Sequence, residues 1–321
     1  MPDCRICEIL PARGFQTHPL QCPYFFSHII DRAEGIALMS KSKDKAKIKT
    51  TKKNKQKHTL ADAADKYLCY QLSVQEPEHE AEFFDDVYQQ EYDRKPVTLR
   101  EDFCGTHAVC CEWVKLGKDR TAVGVDLDPE CLEWGIANNQ AKLKDEQRTR
   151  ITLELEDVRS VSRKKYDVLA AQNFSFWLFK TRAELLEYLK IAHKNLSKEG
   201  MMVMDMMGGG ECYVPQEEER DIDGKFTYVW EQHSYNPINH DASFYIHFRF
   251  KDGSEINKAF EYHWRFWSIP EVRELLEEAG FSKSEVFWEG EDEDGEGDDN
   301  WETTEEAYPD PSWICYIVAY K

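Results

Sequence analysis

The sequence predicts an α/β fold in which a doubly wound parallel sheet carries an antiparallel β insertion. Apolar runs typical of strands alternate with helical segments between residues 97 and 206. The alternation then stops, and three strand-like segments follow, two of them separated by an Asp-Gly pair as in a hairpin. A helix and two more strands end the chain. We therefore expect the C-terminal segment to complete the sheet.

The first elements belong to the parallel sheet and to the helices that precede it. Aromatic residues at helical spacing predict helix over residues 61–92, broken at Pro77. Pro129 suits the first turn of a helix. The predicted strands are residues 97–102, 121–126, 151–155, 167–171 and 201–206, and the predicted helices between them are residues 106–116, 129–143 and 182–196.

The remaining elements follow the fifth strand. Period-2 patterns predict antiparallel strands, and Gly280 is placed to end the next helix. The predicted strands are residues 226–232, 243–250, 256–264, 284–288 and 313–320, with a helix at residues 270–279. The whole chain thus divides into a disordered leader with a lysine-rich segment (1–58), a helical cover (59–96), an α/β core (97–210), a β-rich cap (211–268) and closing elements (269–321) that include an acidic loop (289–311).

Composition indicates a soluble protein. Hydrophobic residues make up 41% of the chain, which is enough for a core, and no apolar run reaches the length of a membrane helix. The ten cysteines show no disulfide-like framework. We therefore expect a cytoplasmic protein that does not bind membranes.

The leader contains two features with competing interpretations. The lysine run at residues 41–57 is more typical of a solvated tail than of a nucleic-acid-binding arm, although it suits both. Met39 precedes this run and is an alternative start. The second feature is a set of four residues whose spacing could suit a zinc knuckle: Cys4, Cys7, His18 and Cys22. This is the less favoured interpretation, and we predict no metal site.

Acidic residues end three successive strands of the core. They are Glu101, Asp126 and Asp157. In an open α/β sheet these strand ends face the crevice in which nucleotides bind. A carboxylate at the end of the second strand can accept both hydrogen bonds from a ribose diol. The pattern predicts a cofactor of the adenosine type.

Over residues 62–321 the chain resembles the class I S-adenosylmethionine-dependent methyltransferases. The acid of the family's first motif falls on Glu101, the acid after its second strand on Asp126, the acid after its third strand on Asp157, and the residue closing strand 4 on Asn173. The resemblance implies a seven-stranded Rossmann-like methyltransferase sheet with S-adenosyl-L-methionine as the cofactor. It makes residues 97–210 the cofactor-binding core and residues 211–268 the substrate cap.

One departure from that family lies in the first turn. The family usually carries G-x-G-x-G there, whereas Phe103 and His107 replace the outer glycines and only Gly105 remains. Glycines let a backbone close on a pyrophosphate. Their loss argues against a nicotinamide-dependent dehydrogenase more strongly than against a methyltransferase.

The resemblance also implies roles for individual residues. Asp126 would hold the ribose, Asp157 the adenine amino group with Val158 against the ring, and Glu101 with Arg100 the methionine end. The competing interpretation is that Asp126 or Asp128, and Asp157, cap the following helices. The implied cofactor-binding residues are Tyr70, Arg100, Glu101, Phe103, Cys104, Gly105, Asp126, Leu127, Asp157, Val158 and Asn173.

A general base is needed only if the acceptor is protonated at the working pH. The candidate catalytic residues are His263, Asp205 and Asn173, with His233 and His247 as further histidines of the insertion. A lone histidine on a strand is more often structural.

The insertion predicts the acceptor. It resembles the β-rich cap of glycine, sarcosine and amino-sugar N-methyltransferases, and aromatic residues crowd it. We therefore predict methyl transfer to a small molecule, with N-methylation favoured over O-methylation. Two alternatives stay open: an RNA or protein methyltransferase recruited by the lysine-rich arm, and a non-catalytic subunit that binds S-adenosylmethionine and scaffolds a partner through the acidic loop.

Overall fold

The computed structural model describes residues 58–291 and 297–321, so the lysine run and the cysteine–histidine set of the leader lie outside the described residues. The helices are α1 (Leu60–Ala63), α2 (Lys66–Val74), α3 (Pro77–Tyr92), α4 (Ala108–Trp113), α5 (Pro129–Asn138), α6 (Asp145–Arg148), α7 (Arg182–Asn195) and α8 (Ile269–Ala279). The strands are β1 (Thr98–Asp102), β2 (Thr121–Asp126), β3 (Ile151–Leu155), β4 (Tyr166–Ala171), β5 (Leu196–Gly208), β6 (Gln216–Ile222), β7 (Phe226–Tyr235), β8 (Asp241–Arg249), β9 (Glu255–Arg265), β10 (Lys283–Glu291), β11 (Gly297–Thr303) and β12 (Trp313–Tyr320).

The main sheet has the order β11-β10-β12-β5-β4-β1-β2-β3. The strands β1 to β5 pair in parallel, and β12 runs antiparallel to β5. This arrangement confirms the predicted doubly wound α/β sheet. It has eight strands rather than seven, because β11 forms inside the segment predicted to be an acidic loop. Strand pairing needs only backbone hydrogen bonds, and Trp301 of β11 packs 4.5 Å from the ring of Tyr316.

Local signals set the helix boundaries. The predicted break at Pro77 is the start of α3, and Pro129 is the first residue of α5. The side chain of Asp128 accepts hydrogen bonds from two backbone N–H groups at the start of α5. Gly280 ends α8 in the left-handed conformation with a φ of 108°, as predicted.

The helices pack on both faces of the sheet and form two apolar clusters. One cluster joins α3 and α4 to the face of β5 that carries Met201 and Val203. The other joins α7, α8 and the insertion to the face that carries Met202 and Met204. Because side chains alternate along a strand, the parity of a residue in β5 decides which helix layer it meets.

The insertion is a separate four-stranded antiparallel sheet in the order β6-β7-β8-β9. Its first strand was not predicted, since five of its seven residues are charged. Its inner face is aromatic and packs onto a 3₁₀ turn after β4, where the Trp177 and Trp264 rings lie 6.1 Å apart. We call β6 to β9 the cap.

The first two helices connect the cap to the core. The backbone N–H of Leu60 donates to Asp252 in the cap hairpin, and the N–H of Ala61 donates to Ser254. On the core side, Nε1 of Trp134 in α5 donates to Asp65 at 2.6 Å. In the part of the chain that the structure describes, no helix is both long and apolar enough to cross a membrane.

Candidate active site

The turn after β1 is left-handed at three alternate residues, although only one of them is a glycine. Phe103, Gly105 and His107 have φ values of 59°, 50° and 46°, all in the left-handed region. A residue with a side chain loses roughly 1–2 kcal/mol in that conformation. Packing offsets this cost at Phe103, whose ring lies 6.1 Å from Phe179 and 5.8 Å from Tyr188.

Asp126 at the end of β2 holds this turn in place. Its Oδ2 accepts a hydrogen bond from the N–H of Gly105 at 2.7 Å, and its Oδ1 accepts one from the N–H of Asp128 at 2.9 Å. Asp128, not Asp126, caps α5. Each Asp126 oxygen keeps a further lone pair for a ligand hydroxyl. A Cβ at Gly105 would meet no atom within 4 Å, so the turn faces open space there.

An exposed apolar surface adjoins Asp126. Leu127 is 67% exposed, and Leu155, which pairs with Asp126 across β2 and β3, is 56% exposed. The surface suits the flat apolar face of a purine.

Asp157 lies at the next strand end but is already paired. Its Oδ1 accepts from the backbone N–H of Arg159 at 2.8 Å, and its Oδ2 accepts from that guanidinium at 2.7 Å. These bonds hold the pKa of Asp157 below its usual range. A contact between this carboxylate and an adenine amino group would have to compete with Arg159.

Arg100 lies away from the crevice, contrary to the predicted contact with the methionine end. Side chains alternate along β1, so Arg100 and Glu101 point to opposite faces of the sheet. The Arg100 guanidinium is fully buried, and it donates to Asp102 at 2.6 Å and to the carbonyl of Val158 at 3.0 Å. Tyr188 also donates to Asp102. Arg100 therefore fixes the loop after β3.

Glu101 faces the other helix layer and is bound to α4. Its Oε2 accepts a hydrogen bond from the backbone N–H of Cys110 at 2.9 Å. Burial raises the pKa of Glu101 to about 7. The neighbouring Cys104 is buried beneath the turn, where its N–H donates to the carbonyl of Val125 at 3.1 Å. The structure thus gives Glu101 a helix-capping role, and its contact with a cofactor stays a prediction.

Asp205 in β5 anchors the loop after β4. Its two oxygens accept from the backbone N–H groups of Asn173 and Phe174 at 2.7 and 2.9 Å. Both loop residues are left-handed, with φ of 58° and 55°. Burial raises the pKa of Asp205 to about 7. Asp205 and Asn173, predicted separately, therefore form one unit at the carboxyl edge of the sheet.

His263 does not face the site, and its proposed role as general base is not supported. Tyr262 and Trp264 pack on the inner face of the cap, so the residue between them points outward. His263 is exposed and hydrogen-bonds Ser243 at 3.1 Å. The two further candidate histidines also lie on the outer face and are bound to Glu231: His233 and His247.

Tyr70 lies between the helical cover and the cap. Its ring is 4.8 Å from Phe260 of β9. Burial raises the pKa of its hydroxyl and of the Tyr262 hydroxyl. Tyr70 therefore closes the space above the crevice, whereas the aromatic residues Phe176 and Trp177 of the loop after β4 are core.

Glu80 was not predicted as a site residue. It is 7% exposed, and it lies in the first turn of α3, three residues before Phe83. The available signal was an acidic residue on the apolar stripe of a helix, where a carboxylate is costly unless it has a partner.

The described chain combines an open, mostly parallel sheet, an acid-anchored turn at the carboxyl ends of β1 and β2, and a separate antiparallel cap, and this fold is found among solved methyltransferase structures. Comparison with solved structures shows the same fold. A S-adenosylmethionine-dependent methyltransferase from Clostridium acetobutylicum superimposes with a TM-score of 0.59 at 15% identity, over 79% of this chain and 96% of the other. An amino pentose methyltransferase from Micromonospora echinaspora gives a TM-score of 0.55 at 14% identity over 84% and 99% of the two chains.

A sugar N-methyltransferase from Streptoalloteichus gives a TM-score of 0.53 at 16% identity, over 87% of this chain and 99% of the other. No protein-family model matches the sequence, and no curated protein matches it. Identities this low show a shared fold. Activity and acceptor must be argued from the residues of this chain.

Proposed function

We propose that this protein transfers a methyl group from S-adenosylmethionine to a small-molecule acceptor. The observation that carries the proposal is the geometry around Asp126. One carboxylate, fixed by two backbone N–H groups, stands between an open left-handed turn and an exposed apolar surface. A ribose diol, a methionine chain and a purine are the three groups that such a neighbourhood complements.

The residues present fit the cofactor. Asp126 would accept the two ribose hydroxyls, and the open space at Gly105 leaves room for the backbone to approach the ligand. Leu127 would cover the purine, and Asn173 would lie near the reacting methyl group. When bound, the cofactor supplies a methyl group already activated by a sulfonium. The protein then has to align the acceptor and exclude water.

The cap favours a small acceptor. Its aromatic inner face packs onto the loop after β4, and α2 closes the space between cap and core. A roofed site of this kind suits a molecule that can be enclosed better than a nucleic-acid duplex. The sugar N-methyltransferase and the amino pentose methyltransferase with the same fold support an amine acceptor, so we favour N-methylation over O-methylation.

Calorimetric titration of the full chain with S-adenosylhomocysteine tests the cofactor assignment, with NADH as the control ligand. We expect saturable binding of the first ligand and none of the second. Binding of NADH, or no binding of S-adenosylhomocysteine by protein with a cooperative thermal transition, would contradict the proposal.

A further inference from the structure

Glu80 is a buried acid with an incomplete set of partners. It is 7% exposed, and its Oε2 has no hydrogen-bond partner among the described residues. Its backbone N–H donates to the carbonyl of Glu76 at 3.0 Å, so the helix itself is regular here. A buried carboxylate oxygen without a partner loses its hydration and gains nothing in return. A ligand that donates hydrogen bonds would remove this deficit.

The position of Glu80 directs it toward the carboxyl edge of the sheet. One turn later in α3, the ring of Phe83 stacks on Tyr316 with centroids 4.5 Å apart. Tyr316 pairs with Asp205 across β12 and β5. The C-terminal end of α3 lies at the opposite edge, where Tyr88 donates to the carbonyl of Glu199. Glu80 therefore lies over the same end of β5 as Asp205.

The charge of Asp205 also reaches Glu80. After burial, the charge of Asp205 is the strongest influence that raises the pKa of Glu80, followed by that of Glu101. Among the described residues, no lysine, arginine or histidine forms an ion pair with Glu80 or Asp205. Two buried carboxyls over the same end of β5, with no cation partner among the described residues, favour a ligand that brings one.

We propose that Glu80 and Asp205 bind the ammonium group of an amine acceptor. Asp205 presents the lone pairs that Asn173 and Phe174 leave unused, and Glu80 presents the unpartnered Oε2. An N–H bond of the ammonium breaks and an O–H bond forms on one of the carboxylates, which leaves a neutral amine with a free lone pair. This inference rests on the proposed function and specifies its substrate class as cationic amines.

The first test is the initial rate of S-adenosylhomocysteine release by the full chain. The probes are methylamine, benzylamine and glucosamine, each measured against methanol, benzyl alcohol and glucose. We expect methyl transfer with amines and none with their hydroxyl counterparts. Turnover confined to the hydroxyl compounds, or no turnover with any amine, overturns the inference. Calorimetric binding of S-adenosylhomocysteine would show separately whether the proposed function survives.

The second test is Glu80→Gln, with Glu78→Gln as the matched control, because Glu78 is an exposed acid in the same turn. For the best amine we expect Glu80→Gln to raise KM by at least about tenfold, the effect of losing a hydrogen bond to a charged group. Affinity for S-adenosylhomocysteine should not change. An unchanged KM overturns the inference.

Equal losses of affinity for the amine and for S-adenosylhomocysteine would also overturn the inference. In that case the ammonium group bound by Glu80 would be that of the cofactor. If Glu80→Gln does not fold, Glu80→Met provides a second neutral variant for the same measurements. Since Glu80 has no cation partner in the described structure, neither neutral variant breaks an ion pair.

Discussion

Substitution of Asp126 by asparagine tests the central assignment of the site. The amide group keeps the size of the side chain, but its nitrogen cannot accept the N–H of Gly105, which Oδ2 holds at 2.7 Å. One ribose hydroxyl also loses its charged acceptor. A hydrogen bond to a charged group contributes about 1.5–3 kcal/mol. We therefore expect the Kd for S-adenosylhomocysteine to rise by about 10- to 150-fold.

The assay is calorimetric titration of both proteins with S-adenosylhomocysteine and with its 2′-deoxy analogue. Wild type should prefer the hydroxylated ligand, and Asp126→Asn should lose most of that preference. Asp128→Ala is the control, because it removes the cap of α5 and should lower stability by about 1 kcal/mol without changing the Kd. The ribose assignment fails if Asp126→Asn binds as tightly as wild type, or keeps the full preference.

Three further substitutions have definite expected outcomes. Gly105→Ala should lower the free energy of unfolding by about 1 kcal/mol, because the φ of this residue is 50°. The added methyl group should also fill open space and weaken the binding of S-adenosylhomocysteine measured by calorimetry, and an equal affinity would contradict this. Tyr188→Phe removes the buried hydrogen bond to Asp102. It should lower the free energy of unfolding, measured with denaturant, by about 1.5–3 kcal/mol, and a change below about 0.5 kcal/mol would be inconsistent with that bond. His263→Ala should leave kcat and cofactor affinity unchanged, because the ring is exposed and bonded to Ser243; a large loss of kcat would restore its role as base.

The sequence was sufficient to predict the order of strands and helices, because apolar periodicity and proline or glycine signals are local. The same signals do not predict β6 or β11, because the sequences of both strands are acidic. These strands form through backbone pairing with a neighbouring strand. Their positions depend on contacts between distant segments. The acid at the end of β2 was predictable because a strand end is itself a local feature.

Within the site, Arg100 and His263 differ from expectation in which way the side chain points. Arg100 and Glu101 are adjacent, so only one of them can face the crevice side of β1. The same alternation places His263 outside, because Tyr262 and Trp264 are inside. Parity along a strand is a local feature of the sequence, and it separates neighbouring residues between the two faces of a sheet.

Other features depend on tertiary structure. The pairing of Asp157 with Arg159 competes with the expected ligand contact, and nothing in the local pattern reports which contact prevails. The convergence of Glu80 and Asp205 joins residues 125 positions apart, so it becomes visible only when α3 is packed on the sheet.

In the turn after β1, the left-handed backbone conformation does not depend on glycine. Three alternate residues are left-handed although only Gly105 is a glycine, and neighbouring rings support Phe103 in that conformation. A search based on glycine spacing overlooks such a turn, whereas a search for alternating left-handed residues beside an acid at the next strand end finds it. Glycine is then one solution to a geometric requirement, and another residue can meet it wherever a neighbouring side chain offsets the strain.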